Sequence, residues 1–295
     1  WYIIVSKIIV LIFQDFFFKK IEMKVAIQGI KGSFHHLVAL NYFGPNVDII
    51  DCNTFQEIID KLNQKEVERG VMALENSIAG SILPNYALID DSNMHIIGEY
   101  NFSIDHNLMC FQNQTVEEIK EVHSHPMALL QCKEFFNDHN HISLVEASDT
   151  AKVAQIISEK KLKGIAAIAS KEAAKIYNLN LISESIQTIN NNVTRFVILK
   201  TNVQPFKKES YNKASLKFIL DHQRGSLAAV LNVLSDCLLN LTKIQSLPVI
   251  KTPGKYAFFV DVKFGNIDFF QKAVSILKIM ALEFKIIGQY LEYKK

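Results

Sequence analysis

Cysteine is scarce and scattered. The 295-residue chain carries only Cys52, Cys110, Cys132 and Cys237, with no Cys-x-x-Cys pair. This spacing suggests neither a disulfide framework nor a thiolate metal site, and a reducing, cytoplasmic compartment fits it. No sign of charge dominates: 32 Lys and Arg stand against 30 Asp and Glu. A dense basic stripe is missing as well, so a nucleic-acid partner is not expected. The opening "WYIIVSKIIVLIFQDFFFKK" is apolar, but Lys7, Gln14 and Asp15 break it. It falls short of a bilayer span and no small-residue cleavage site follows, so no membrane role is expected. Residues 1–22 read as upstream translated sequence ahead of Met23. No Gly-x-Ser-x-Gly elbow occurs, which leaves acyl transfer without support. His123 and His125, with His35 and His36, invite a metal reading. No carboxylate is spaced to complete such a site, and none is expected.

What is present is an ordinary globular composition, 49% hydrophobic and 21% charged, long enough for about two domains. From Met23 short apolar runs alternate with helical patterns, the mark of α/β architecture. "KVAIQ", "VDIID", "VERGVMALE", "ISLVEA", "GIAAIAS" and "VTRFVILK" read as strands. "FHHLVALNYF", "FQEIIDKLNQ", "DTAKVAQIISEK" and "KEAAKIYNL" read as helices. "HIIGEYNFSIDHNLMCF" reads as a pair of strands that carries the chain into a second lobe. "TVEEIKEV" reads as a helix opened by Thr115 and Glu118 in capping-box spacing. Pro126 suits a first helical turn, with Ser124 or His125 as cap, and Cys132 falls on the apolar face of that helix beside Leu129 and Phe136. Periodicity fades over residues 201–212, a linker. From residue 213 the order becomes β, α, β, β, α, β, the ferredoxin-like arrangement. Alternation in "YAFFVDVKF" sets Tyr256, Phe258, Val260, Val262 and Phe264 on one face, leaving the face with Asp261 and Lys263 free to pair or bind.

Three stretches can carry chemistry. "GIKGS", residues 29–33, joins a strand to a helix, where backbone N–H groups and the helix end attract an anion. "ALENSIAGS" places Glu75, Asn76 and Ser77 at the C-terminal end of an apolar strand, where open α/β sheets bind ligands; an Asn/Ser turn with Gly80 at positive φ explains it equally. "NNVTRFVILK" opens a strand with Asn192, Thr194 and Arg195.

In order along the chain, "GIKGSF", "ALENSIAGS", "IDHNLM", "SHPMALLQC", "SDTAKVA", "AAIAS" and "NNVTRF", followed by "LTKIQSLP" in the C-terminal module, resemble the prephenate dehydratase family with its ACT domain. The resemblance runs from about Lys24 to about Tyr293. It implies a two-lobed, periplasmic-binding-protein-like dehydratase domain (residues 23–200) and a ferredoxin-like ACT domain (213–295). It also implies conversion of prephenate to phenylpyruvate, water and carbon dioxide in the cleft, without a cofactor. Arogenate is an alternative substrate, and a non-catalytic sensor of an amino or keto acid is the alternative from another class.

On the same resemblance Thr194, Arg195 and Phe196 line the cleft, with Thr194 essential. A threonine hydroxyl is a weak acid but can donate a hydrogen bond to a departing oxygen in a water-poor site. Glu75 could act as an acid only if burial raised its pKa. Arg195 on the departing carboxylate would oppose loss of carbon dioxide, so the pyruvyl carboxylate is its expected partner. Ser33, Gly32, Asn76, Ser77 and Asn192 complete the expected polar contacts. Gly225, Ser226, Leu227, Ala228, Gln245, Ser246, Leu247 and Pro248 match the segments that bind phenylalanine at a dimer interface in the family. Gln245 and Leu247 stand where Glu and Arg are usual, so both charges are lost. Ile30, Ala73, Leu74 and Thr188 also depart from the pattern. A homodimer or homotetramer is expected.

Overall fold

The computed structural model describes residues 23–201, 211–249, 252 and 254–293. Residues 1–22 and most of the expected linker lie outside the described residues. The first lobe is built from β1 (Lys24–Gln28), α1 (Phe34–Phe43), β2 (Asp48–Cys52), α2 (Phe55–Asn63), β3 (Arg69–Asn76), β4 (Gly80–Ser81), α3 (Leu83–Asp91) and β5 (His95–Ser103). The second contains β6 (Asn107–Cys110), β7 (Glu121–Ser124), α4 (Pro126–Gln131), β8 (Ser143–Glu146), α5 (Thr150–Lys160), β9 (Ile165–Ala169), α6 (Lys171–Ile176) and β10 (Asn180–Ser183). The chain then returns to the first lobe as β11 (Val193–Lys200). The C-terminal module follows as β12 (Lys213–Ile219), α7 (Ser226–Asp236), β13 (Asn240–Pro248), β14 (Tyr256–Lys263), α8 (Ile267–Met280) and β15 (Glu283–Tyr290), the expected βαββαβ order. Among the described residues no helix is long and apolar enough to cross a membrane.

The expected helix at "TVEEIKEV" is a correction. Val116–Glu118 forms one 3-10 turn, and Glu121–Ser124 pairs in parallel with both β8 and β9. The capping box is present, but pairing between strands overrides the local helical preference.

The second lobe has a five-stranded sheet, β10-β6-β9-β7-β8. The first lobe and the C-terminal module share a ten-stranded sheet ordered β13-β14-β12-β15-β5-β11-β3-β1-β2, with β4 beside β3. Parallel pairing of Gly288 with Ile96 joins β15 to β5. One apolar cluster crosses this junction: Leu74, Tyr86, Ile89 and Ile96 pack with Ala257, Phe259 and Ile287. The face of β14 expected to remain free is therefore buried. The opposite face, with Val260, Val262 and Phe264, packs on α7 and α8.

Polar groups interlock within that junction. Arg195 Nε donates to Glu99 Oε2 at 2.8 Å, Nη1 to Asp261 Oδ2 at 2.5 Å and Nη2 to Tyr290 Oη at 2.8 Å. Lys213 Nζ donates to both Glu99 oxygens, and Ser215 Oγ donates to Asp261 Oδ1. Burial works against the Arg195 charge, but Asp261, Tyr290 and Glu99 outweigh it and raise its pKa.

A bulge decides which residues face which side. Along β11, Thr194 pairs with Asn76, Arg195 with Glu75 and Phe196 with Ala73, so Leu74 is the extra residue of β3. Bulges interrupt the ladder and re-aim side chains. Here side chains satisfy the interrupted backbone: Ala73 N donates to His35 Nε2 at 3.3 Å, and Ala73 O accepts from Asn85 Nδ2 at 2.7 Å.

Burial pushes the His35 imidazole down to about 3. As pH falls below the ordinary histidine value of about 6.5, the unfolded chain takes up a proton that the folded chain refuses. The His35 contribution is thus fully present above about pH 6.5 and is lost progressively toward about pH 3. Urea unfolding of the wild type and His35→Phe should therefore show their stability difference shrinking by about 2 kcal/mol between about pH 7 and about pH 5; a constant difference would contradict this account.

Candidate active site between the lobes

A cavity of about 610 Å³ opens between the lobes. The first lobe and β11 contribute Gln28, Ser33, Phe34, Asn53, Thr54, Phe55, Asn76, Thr194 and Phe196; the second lobe contributes His125, Met127, Gln131, Ser148, Asp149 and Thr150. Helix starts converge on it. Ser33 caps α1 by accepting from His36 N, Thr54 caps α2 by accepting from Glu57 N, and Asp149 caps α5 by accepting from Lys152 N. The partial positive charge at such ends favours anions. Among the described residues the lining contains no lysine or arginine. Its one carboxyl group, Asp149, is pushed up by burial, against the lowering effect of the backbone N–H groups of Lys152 and Ala151. Phe34, Phe55, Met127 and Phe196 add apolar surface.

Hydrogen-bond directions fix the Thr194 hydroxyl. Ile78 N and Ala79 N donate to Asn76 Oδ1 at 3.0 and 2.8 Å. The Asn76 amide nitrogen must then point the other way, where it donates to Asn192 Oδ1 at 2.6 Å and Thr194 Oγ1 at 2.9 Å. With Oγ1 already accepting, its own hydrogen has no protein acceptor among the described residues and remains available to a ligand.

The structure brings Thr194, Asn76, Phe196 and Ser33 to the cavity and seats the buried Asn192 directly behind Asn76. Ser77 lies apart, its hydroxyl accepting from Val193 N and donating to Asn191 O. Gly32 also lies outside the lining: a Cβ there would meet the α6 backbone at Ala173, 3.0 Å away, and its carbonyl accepts from Ser170 Oγ. This glycine permits close approach of the lobes.

Glu75 and Arg195 are corrections. The bulge turns Glu75 from the cleft toward the C-terminal module, and Arg195 points the same way by plain alternation between Thr194 and Phe196. Glu75 pairs with Lys243, which also donates to Ser81 Oγ, and Arg195 is committed to Glu99, Asp261 and Tyr290. Neither can serve as acid or carboxylate clamp in the cavity as built.

The expected effector residues fall into separate groups. Ser226 and Leu227 line a cavity of about 120 Å³ with His222, Tyr256 and Phe258. Gly225 takes the left-handed conformation just ahead of α7, and Ala228 follows within that helix. Gln245, Ser246, Leu247 and Pro248 run along β13, at the edge of the sheet.

Sequence reasoning assigned no part to Gln131, His106, Thr54 or Asp149. Gln131, His106 and Asp149 lie within "SHPMALLQC", "IDHNLM" and "SDTAKVA", and a lone glutamine beside an apolar run is the one local signal there. Gln131 Oε1 accepts from Asn192 Nδ2 at 2.9 Å and lies 2.9 Å from His106 Nε2.

Comparison with known proteins identifies the family. The family model described as prephenate dehydratase matches residues 25–204. Arogenate dehydratase/prephenate dehydratase 2 of Arabidopsis thaliana is 34% identical over 282 residues, covering 91% of this chain and 73% of that protein. The solved prephenate dehydratase of Staphylococcus aureus is 26% identical, with a TM-score of 0.78, over 91% of this chain and all of that one. The Arthrobacter aurescens prephenate dehydratase solved in complex with L-Phe shares the fold, with a TM-score of 0.81 at 20% identity, over 91% of this chain and 90% of that one. Matched by the family model over more than half of its length and by a relative at 34% identity, this chain belongs to the prephenate dehydratase family.

Proposed function

We propose that the chain converts prephenate to phenylpyruvate, water and carbon dioxide. The observation that carries this reading is the Thr194 hydroxyl, oriented by Asn76 as a free donor in a cavity without fixed cations. In the reaction the bond between the ring and its carboxylate breaks, and its electrons enter the ring as carbon dioxide leaves. The ring becomes aromatic as the C–O bond opposite breaks, and the departing hydroxide takes a proton to become water. Thr194 donates a hydrogen bond to that oxygen as charge develops on it. A lysine or arginine on the leaving carboxylate would stabilise the ground state more than the transition state. Neutral donors and the starts of α1 and α2 are available to the substrate carboxylates without that penalty. Phe34, Phe55 and Phe196 offer apolar surface to the ring.

With the full chain and prephenate at neutral pH, phenylpyruvate should accumulate, followed by its enolate absorbance in alkali. Thr194→Ala should reduce kcat by about 10²–10³, the usual effect of removing a donor to developing negative charge. Turnover of neither prephenate nor arogenate, or an unaffected Thr194→Ala variant, would reject this assignment.

We also propose that the C-terminal module is an ACT domain through which phenylalanine inhibits a homodimer or homotetramer. The cavity beside Ser226 and Leu227, the edge strand carrying Gln245–Pro248, and exposed Ile244 and Leu282 support this reading. Calorimetry with phenylalanine should show heat of binding, and activity should fall at least about fivefold at saturation, the lower range of allosteric coupling. No heat together with unchanged activity would remove the regulatory role.

A further inference from the structure

The chain passes between the lobes at two places, after β5 and before β11, and the segments touch: Ile104 N donates to Asn192 O at 2.8 Å. His106 sits on the first crossing with its backbone fixed. Its N donates to Gln187 Oε1 at 2.8 Å, and its carbonyl accepts from Ile186 N at 2.8 Å. Its ring lies edge-on to Phe34, with centroids 5.8 Å apart. His106 is 4% exposed, and its Nδ1 is buried with no partner among the described residues.

The run of donors that begins at Ile78 and Ala79 determines what this ring does. Asn76 donates to Asn192 Oδ1, so the Asn192 amide nitrogen is the group facing Gln131, and the atom it meets must be the Gln131 oxygen. The His106 Nε2 atom that faces the same oxygen can then only donate. A neutral imidazole with its hydrogen on Nε2 leaves Nδ1 as a bare lone pair, which accounts for the unpartnered atom: a buried orphan acceptor is tolerated better than an orphan N–H. Burial lowers the His106 pKa, the Gln131 bond and Asp105 oppose this, and His125 adds to the lowering; the net direction agrees with a neutral ring.

We propose that His106 is a positioning residue whose Nε2–H, together with Asn192, pins the Gln131 oxygen and thereby turns the Gln131 NH2 group toward an oxygen of the bound substrate. The proposal rests on the dehydratase reading for the identity of that substrate. Gln131 lines the cavity and its Nε2 has no protein acceptor among the described residues, so both hydrogens are available. The direction of the hydrogen-bond chain is set by the backbone amides beside Asn76, and the imidazole beside Gln131 completes it. It spans first-lobe, crossover and second-lobe residues, which ties presentation of the two donors, Thr194 and Gln131, to the seating of the lobes.

The test combines kinetics with a spectroscopic readout on the full chain. His106→Phe keeps a flat ring and removes the donor; His106→Gln returns an amide nitrogen near the Nε2 position. His106→Phe should raise KM for prephenate about tenfold, in keeping with loss of one hydrogen bond, with kcat changed less than about threefold. His106→Gln should bring KM back to within about threefold of wild type. The 15N spectrum of histidine-labelled wild type, with the His106 signals assigned by their absence from His106→Gln, should show a protonated Nε2 and a bare Nδ1. A proton on Nδ1 would overturn the proposal, as would unchanged KM in both variants of an active enzyme. If the wild type turns over no prephenate, the dehydratase reading fails, and the spectrum alone decides the bond: Nε2–H upholds it and Nδ1–H overturns it.

Discussion

A single additional residue in β3 governs both faces of the central sheet. Strict alternation from Ala73 would have sent Glu75 into the cleft and Asn76 away from it. With Leu74 inserted, Asn76 faces the cavity opposite Thr194, while Glu75 and Arg195 point together at the C-terminal module. The irregularity is maintained from both sides of the chain, since His35 and Asn85 satisfy the Ala73 N–H and C=O. Cleft-facing and module-facing groups therefore alternate along the same strand, one peptide unit apart.

The distribution of charge follows from this sorting. At the junction, Arg195 and Lys213 balance Glu99 and Asp261, so no net charge is buried, and hydrogen bonds engage the charged heads. Such an arrangement is costly to break from one side. In the cleft the opposite principle holds. Helix starts and neutral amides face the cavity, and groups of that kind can bind a carboxylate without holding it as firmly as a guanidinium. A reaction that discharges a carboxylate as a neutral gas is better served by the second kind of site than by the first.

Much of this could be read from residue order. Strand and helix periodicity gave the two-lobed α/β body and the βαββαβ module, and the polar ends of "ALEN" and "NNVTRF" marked the strand ends that meet at the cavity. Three things could not be read. The bulge changes facing without changing composition, so Glu75 and Asn76 look equally well placed in sequence. The partners of Arg195 lie 66 to 96 positions away, and a lone arginine beside a threonine at a strand end suggests a ligand contact until those partners are known. "TVEEIKEV" has a sound helical start, yet β8 and β9 claim its end as a strand. The roles of Gln131 and His106 depend on donor direction, a property of a closed set of neighbours that no local pattern encodes.

The sheet that runs from β2 to β13 without interruption has a consequence for how freely the parts can be exchanged. Many regulatory modules hang from their enzymes by a tether and can be swapped between hosts. Here the partner strand, the apolar filling and the counter-ions of the first lobe are supplied from the far end of the chain. A shortened polypeptide would expose the edge of β5, the apolar residues Leu74 and Ile89, and a guanidinium stripped of Asp261 and Tyr290. Substitutions on either side of the junction must match across it, so the two parts are bound to diverge as a pair.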